Sequence, residues 1–194
     1  MKKRILSLIL ALSMVLSVLP LGAFAEGFLP ELVMQNGLPD LTGLTPQEYG
    51  NYVGNGWEYR NGTLYLNLSA GTYDFSYINP QTKAGGSAKQ PVLCKIEIQS
   101  GATIIDGTFN GEVTNSGTIE RGTFNGTVTN NTGGTISGGT FSTTVKNGGG
   151  TIAGGTFSST VENNNGTIAN GTFAGSVTNW ITISGGTFEG SVAN

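Results

Sequence analysis

Residues able to do chemistry are scarce in this chain of 194 residues. It has no histidine, which removes the commonest general base near neutral pH and the commonest zinc ligand together. The single cysteine, Cys94, cannot close a disulfide within the chain. One acidic–basic cluster stands out: Asp106, Glu112, Glu120 and Arg121. Clustered carboxylates beside an arginine are what a polysaccharide lyase or hydrolase uses to take a proton or hold calcium. A solvated rim carrying one ion pair is the weightier reading of the same residues. The glycine-rich calcium repeat is missing, since no aspartate follows Asp106. A second set is aromatic. Trp57, Tyr59, Tyr65 and Tyr73 lie close together, and Trp180 stands where polar residues are the rule. Exposed rings with polar neighbours can stack on sugars, so Trp57, Tyr59 and Trp180 are the candidate glycan contacts. Packing in a cap is the competing use of Trp57 and the tyrosines. No catalytic residue, metal ligand or cofactor is expected.

The element that must position these groups is a repeat. Phenylalanine recurs at Phe109, Phe124, Phe141, Phe157, Phe173 and Phe188, with spacings of 15, 17, 16, 16 and 15. Five residues before each stands an isoleucine, from Ile104 to Ile183, and four after each a valine, from Val113 to Val192. Those two distances never change. All length variation falls between a valine and the next isoleucine, as in "VTNSGTI" against "VTNNTGGTI". A helix cannot absorb this, because one inserted residue turns every later side chain by about 100°. A solenoid of short strands can, because a corner takes the extra residue and the next coil restores register.

Segments such as "FNGEV" and "FSTTV" read as single strands of period two, with Phe, Val and the small residue between them (Gly111, Gly126, Thr143, Ser159, Gly175 or Gly190) facing inward beside the ring. The invariant glycine before each Thr-Phe, Gly107 through Gly186, marks a corner needing positive φ or close approach of coils. Asn115, Asn130, Asn147, Asn163, Asn179 and Asn194 each follow a valine by two. They are expected to form a ladder, each in a left-handed bend and bonding its amide to the next coil. Thr before every Phe and every repeat Ile forms two outward columns. Charges test the register: Asp106 and Arg121 share one column in adjacent coils, and Lys146 and Glu162 share another.

The rest of the chain is less regular. Lys2, Lys3 and Arg4, an apolar run from Ile5 to Leu19 and Ala23-Phe24-Ala25 make residues 1–25 a secretory signal of bacterial type. Its removal leaves six basic against 12 acidic residues, so the net charge moves from -3 to -6. An acidic chain without a basic patch is a poor partner for nucleic acid or anionic lipid. No later stretch is apolar enough to span a bilayer. Residues 26–55 form an irregular segment, in which "TPQE" (Thr45–Glu48) suits the start of a short helix running to about Val53. Residues 56–106 read as degenerate N-terminal coils with a loop at about 79–91, and 107–194 as the regular repeats. The repeat stops in phase at Asn194, so the expectation is a truncated array or end-to-end association through an uncapped last coil.

At "TIxGGTFxxxVxN" the chain resembles bacterial exported parallel β-helix proteins of the adhesin and pectate-lyase-like kind. The likeness covers about 90–194 well and 56–89 weakly. It implies an all-β parallel β-solenoid with coils of 15–17 residues, three-sided or flattened, behind an atypical N-terminal cap. The function it implies is a secreted or cell-surface structural or adhesive segment, non-catalytic, with a polysaccharide or cell-surface glycoprotein as partner. A carbohydrate-binding module is the alternative; lyase chemistry and ice binding by the threonine rows rank below it.

Overall fold

The structure is a computed structural model, and it describes residues 30–47, 50–67, 71–87 and 90–194. The expected signal segment, residues 1–25, and the middle of the expected helix, Glu48 and Tyr49, lie outside the described residues. The architecture is all-β. Each repeat supplies three short strands, and like strands of successive repeats pair in parallel, giving three sheets that wrap one narrow core. The isoleucine strands, Thr103–Asp106 to Thr182–Ile183, build a sheet of seven with Thr72–Asp74. The phenylalanine strands, Thr108–Phe109 to Thr187–Phe188, build a sheet of six. The valine strands, Val113–Asn115 to Val192–Ala193, belong to a sheet of ten.

The register follows from which residues can be buried. Phe124 pairs with Phe109 and Phe141, Ile136 with Ile119 and Ile152, and Val145 with Val128 and Val161. Alternation then places every repeat threonine outward. Successive rings from Phe109 to Phe188 are stacked at centroid distances of 4.9, 4.9, 4.7, 4.8 and 4.8 Å. That is the inter-strand distance of a sheet, so the backbone ladder sets the ring spacing. Each fully buried ring or aliphatic side chain contributes about 1.5–3 kcal/mol. The 17-residue coil between Phe124 and Phe141 keeps this register because its extra residues turn at Asn131–Gly134, where Gly134 N–H donates to Asn131 O at 2.9 Å.

Two readings of the repeat need correction. "FNGEV" and its relatives are not single strands. The chain turns at the small residue, so Phe enters the core from one sheet and Val from another. The small residue is demanded by backbone rather than by the ring: a Cβ on Gly126 would sit 2.2 Å from Gly111 O. Thr143 takes this position in the third coil at a cost, for its Oγ1 is buried without a hydrogen-bond partner. The ladder asparagines also differ from expectation. They end extended strands, and the only described non-glycine residues at positive φ are Asn36, Asn61 and Lys83. Their amides do bond coil to coil. Asn115 Nδ2 donates to Asn130 Oδ1 at 2.7 Å, and the series continues through Asn147, Asn163 and Asn179 to Asn194 at 2.9, 2.7, 2.6 and 2.7 Å. The corner glycines behave as expected. Gly155 has φ +119°, and a Cβ there would meet the Phe141 and Phe157 rings at 3.1–3.2 Å.

The N-terminal region shows how the stack begins. Strands β1 (Met34–Gln35) and β2 (Leu38–Pro39) form a small hairpin. Strands β3 (Tyr52–Gly54), β4 (Trp57–Arg60) and β5 (Thr63–Leu66) form an antiparallel meander on the edge of the ten-stranded sheet. Val53 is therefore in a strand and does not end a helix. Parallel stacking starts only at β5, which pairs with β9 (Lys95–Ile98). Tyr73 in β6 (Thr72–Asp74) lies in register with Ile104, and Phe75 closes the phenylalanine column edge-on to Phe109 at 5.4 Å. The expected loop at 79–91 contains a strand: β7 (Tyr77–Asn79) pairs with β8 (Ala84–Ser87). Among the described residues no helix is long and apolar enough to cross a membrane.

Two substitutions separate satisfied from unsatisfied buried polarity. Asn147→Ala should destabilise by about 1–3 kcal/mol for each polar atom it orphans on Asn130 and Asn163. Thr143→Val should stabilise by about 1 kcal/mol, because a hydroxyl without a partner leaves the wall. Urea unfolding of both variants reads these signs, and equal effects would contradict the ladder.

Candidate functional site

The candidate glycan contacts do not come together. Trp57 lies in β4 beneath Gly54, is 1 % exposed, and donates Nε1–H to Pro30 O at 2.9 Å. Its faces are core, so it is withdrawn from the glycan set. Tyr59 is half-buried and packs against the same core, where desolvation raises its pKa. Tyr73 is wholly buried, with its hydroxyl donating to Gly56 O. Trp180 alone is open, at 71 %, and Ile181 beside it is 55 % exposed. Both sit on the variable corner after Asn179. With Thr182, Ile183 and Asn194 they line an open hollow of about 360 Å³. Seven inter-strand steps separate β4 from the strand that leads into Trp180, roughly 34 Å at about 4.8 Å each, so no single ligand ring contacts both ends.

An outward aromatic that the sequence reading left unassigned is Tyr65. The Asn61-Gly62 turn between β4 and β5 has φ of 48° and 75°, the signature of a two-residue hairpin, and it pairs Glu58 with Tyr65. Arg60 lies over the Tyr65 ring at 4.2 Å and reaches Glu58 at 3.3 Å. Lys95 and Glu97, 3.5 Å apart, continue the face, with Glu97 in register with Tyr65. The Asn-Gly dipeptide was the available signal: it fixes the register and hence which residues share a face.

The acidic–basic cluster resolves into one surface pair. Arg121 Nε lies 3.2 Å from Asp106 Oδ2 across adjacent coils, with both side chains well exposed. Glu112 and Glu120 join neither of them by hydrogen bond or ion pair. The guanidinium is occupied by the carboxylate beneath it, and such an exposed pair contributes about 0–1 kcal/mol. Lys146 and Glu162 are register partners without closing into an ion pair. Among the described residues no group of three or more His, Cys, Asp or Glu side chains converges to hold a metal ion. An ion pair that sequence reasoning missed joins Asp74, 5 % exposed, to the solvent-exposed Lys83 at 3.6 Å.

Cys94 is buried, and desolvation pushes its thiol up to about 11. Its position is structural, since a thiol held protonated is a poor nucleophile. No family model matches the chain, and no curated protein or solved structure matches it either.

These buried groups fix the alkaline limit of stability. Burial raises Cys94 from 9.0 to about 11 and Tyr73 from 10.0 to about 12. Between the unfolded and folded values the unfolded chain releases the proton and the native state does not, so stability falls as pH rises. The melting temperature should hold its value up to about pH 9 and then decline through pH 12, with Cys94→Ala removing the first part of that slope. A melting temperature constant to pH 11 would contradict this burial.

Proposed function

We propose that this chain is a structural and adhesive segment of an exported bacterial surface protein, a non-catalytic rod that presents side-chain rows to a polysaccharide or a cell-surface glycoprotein. The observation that supports the reading is the uninterrupted stack itself. From Thr103 to Phe188 each coil turns its repeat isoleucine, phenylalanine and valine toward the core and carries threonine, serine, asparagine and few charges outward, with Trp180 and Ile181 on one corner as exposed apolar exceptions. Such a surface repeats a weak contact at each coil. Several weak contacts on one rigid body bind a repetitive partner far more tightly than one does. Beads coated with residues 26–194 should be held under flow on polysaccharide- or glycoprotein-coated surfaces, and bare beads should wash away. Equal retention of the two kinds of bead would contradict the adhesive reading.

Carbohydrate binding at one discrete site is the second reading, favoured by the exposure of Trp180 beside an open hollow. A ring whose face is free stacks on the apolar face of a sugar, while the exposed Thr182 and Asn194 nearby supply polar groups. Trp180→Ala should leave the melting temperature unchanged and weaken glycan binding about tenfold, or 1.4 kcal/mol. Unchanged binding would place the contact elsewhere on the rod.

A further inference from the structure

The chain contains eight Asn-Gly dipeptides, at Asn36, Asn55, Asn61, Asn110, Asn125, Asn147, Asn165 and Asn170. Such a pair can modify itself. The glycine nitrogen attacks the asparagine side-chain carbonyl, and glycine offers no side chain to hinder the ring closure. The fold treats the eight differently. Gly148 N–H donates to Asn130 O at 2.9 Å, and Gly111 N–H to Val92 O at 3.4 Å, so the nitrogens after Asn147 and Asn110 are committed to neighbouring coils. Gly171 is placed otherwise. The ladder bonds around it run from Ala169 N to Ile152 O and from Thr172 N to Gly155 O, both 2.8 Å, and pass it by. Its N–H donates to Oδ1 of its own predecessor, Asn170, at 2.9 Å. Asn170 is exposed to water, and Gly171 has φ +142°, a conformation that glycine alone adopts readily.

We propose that Asn170–Gly171 is a self-modification site, at which the backbone closes onto the asparagine side chain and converts it to aspartate and isoaspartate. The corner keeps Gly171 N out of the coil-to-coil ladder and holds the Asn170 side-chain amide beside it, with Oδ1 2.9 Å from the nitrogen that attacks Cγ. Hydroxide removes the proton of Gly171 N. The nitrogen forms a bond to Cγ, the Cγ–Nδ2 bond breaks, and ammonia leaves with one added proton. The product is a five-membered succinimide. Water then opens the ring at either carbonyl, giving aspartate at one and isoaspartate at the other, with no oxidant or further reactant.

The equivalent position in the first repeat acts as an internal contrast. Gly107 N–H makes the same contact with Asp106 Oδ1, at 2.8 Å. There the side chain is a carboxylate bound by Arg121, a far poorer electrophile than an amide. Asn170 combines the corner geometry with a reactive group. Conversion has a structural consequence, because isoaspartate adds one backbone carbon between the Ile168 and Phe173 strands. It also adds a negative charge to a surface row that carries none between Arg121 and the last repeat.

Peptide mapping by mass spectrometry, with isoaspartate detection, tests this on the full chain kept folded at pH 7 and pH 9. Asn170 should convert at least about tenfold faster than each of the other seven, and faster at pH 9, as expected of a held intramolecular attack. The same chain in denaturant should lose this preference, since the corner is gone. Conversion of Asn170 no faster than that of its fellows in the folded chain would overturn the proposal. So would a preference that survives unfolding, which would make it a property of the local sequence.

Discussion

The spacing between neighbouring coils governs this molecule. Parallel strands bond at about 4.8 Å, and every side chain that points inward must therefore find its partner at that pitch. Flat rings can stack at that distance, and the phenylalanine column does so at 4.7–4.9 Å. A primary amide can also span it, donating to the coil on one side and accepting from the coil on the other, as Asn130 does between Asn115 and Asn147. Residues that cannot meet the pitch are moved to the corners. The few inward positions per coil suffice because burial is completed by the coils on either side, as repeat architectures require.

The same constraint explains what the surface can offer. Groups that belong to distant repeats are held apart along the stack, and groups that belong to one column meet. Asp106 and Arg121 meet because they share a column; Glu112 and Glu120 do not join them. Trp57 and Trp180 lie at opposite ends of the stack, one in the cap and one on a corner.

The repeat itself was readable because its invariants are distances. Five residues from Ile to Phe and four from Phe to Val, with variation confined to one interval, already imply stacked strands and corners. Two details were hidden. Nothing in "FNGEV" shows that the chain turns at Gly111, since alternation of apolar residues looks the same along one strand and around a corner. A left-handed bend at each ladder asparagine was the natural inference from residue type, but strand pairing keeps those residues extended. In the N-terminal region the substitutions were harder to see. Tyr73 stands in the isoleucine column and Val92 bridges to Phe109, so the columns persist while the residue types change. Packing of Trp57 in the cap was one of the two uses open to it; what could not be seen was its partner, Pro30, 27 residues away.

Crosslinking tests the register most directly. Thr129 and Lys146 are paired in adjacent coils and point outward, whereas Glu162 lies one coil further. In a Cys94→Ser background, Thr129→Cys with Lys146→Cys should oxidise to a disulfide almost completely, because paired Cα atoms of neighbouring strands lie within the 4.4–6.8 Å that a disulfide spans. Thr129→Cys with Glu162→Cys should not, being about 9.6 Å apart across two steps. Efficient closure of the second pair, or failure of the first, would contradict a stack of coils in this register.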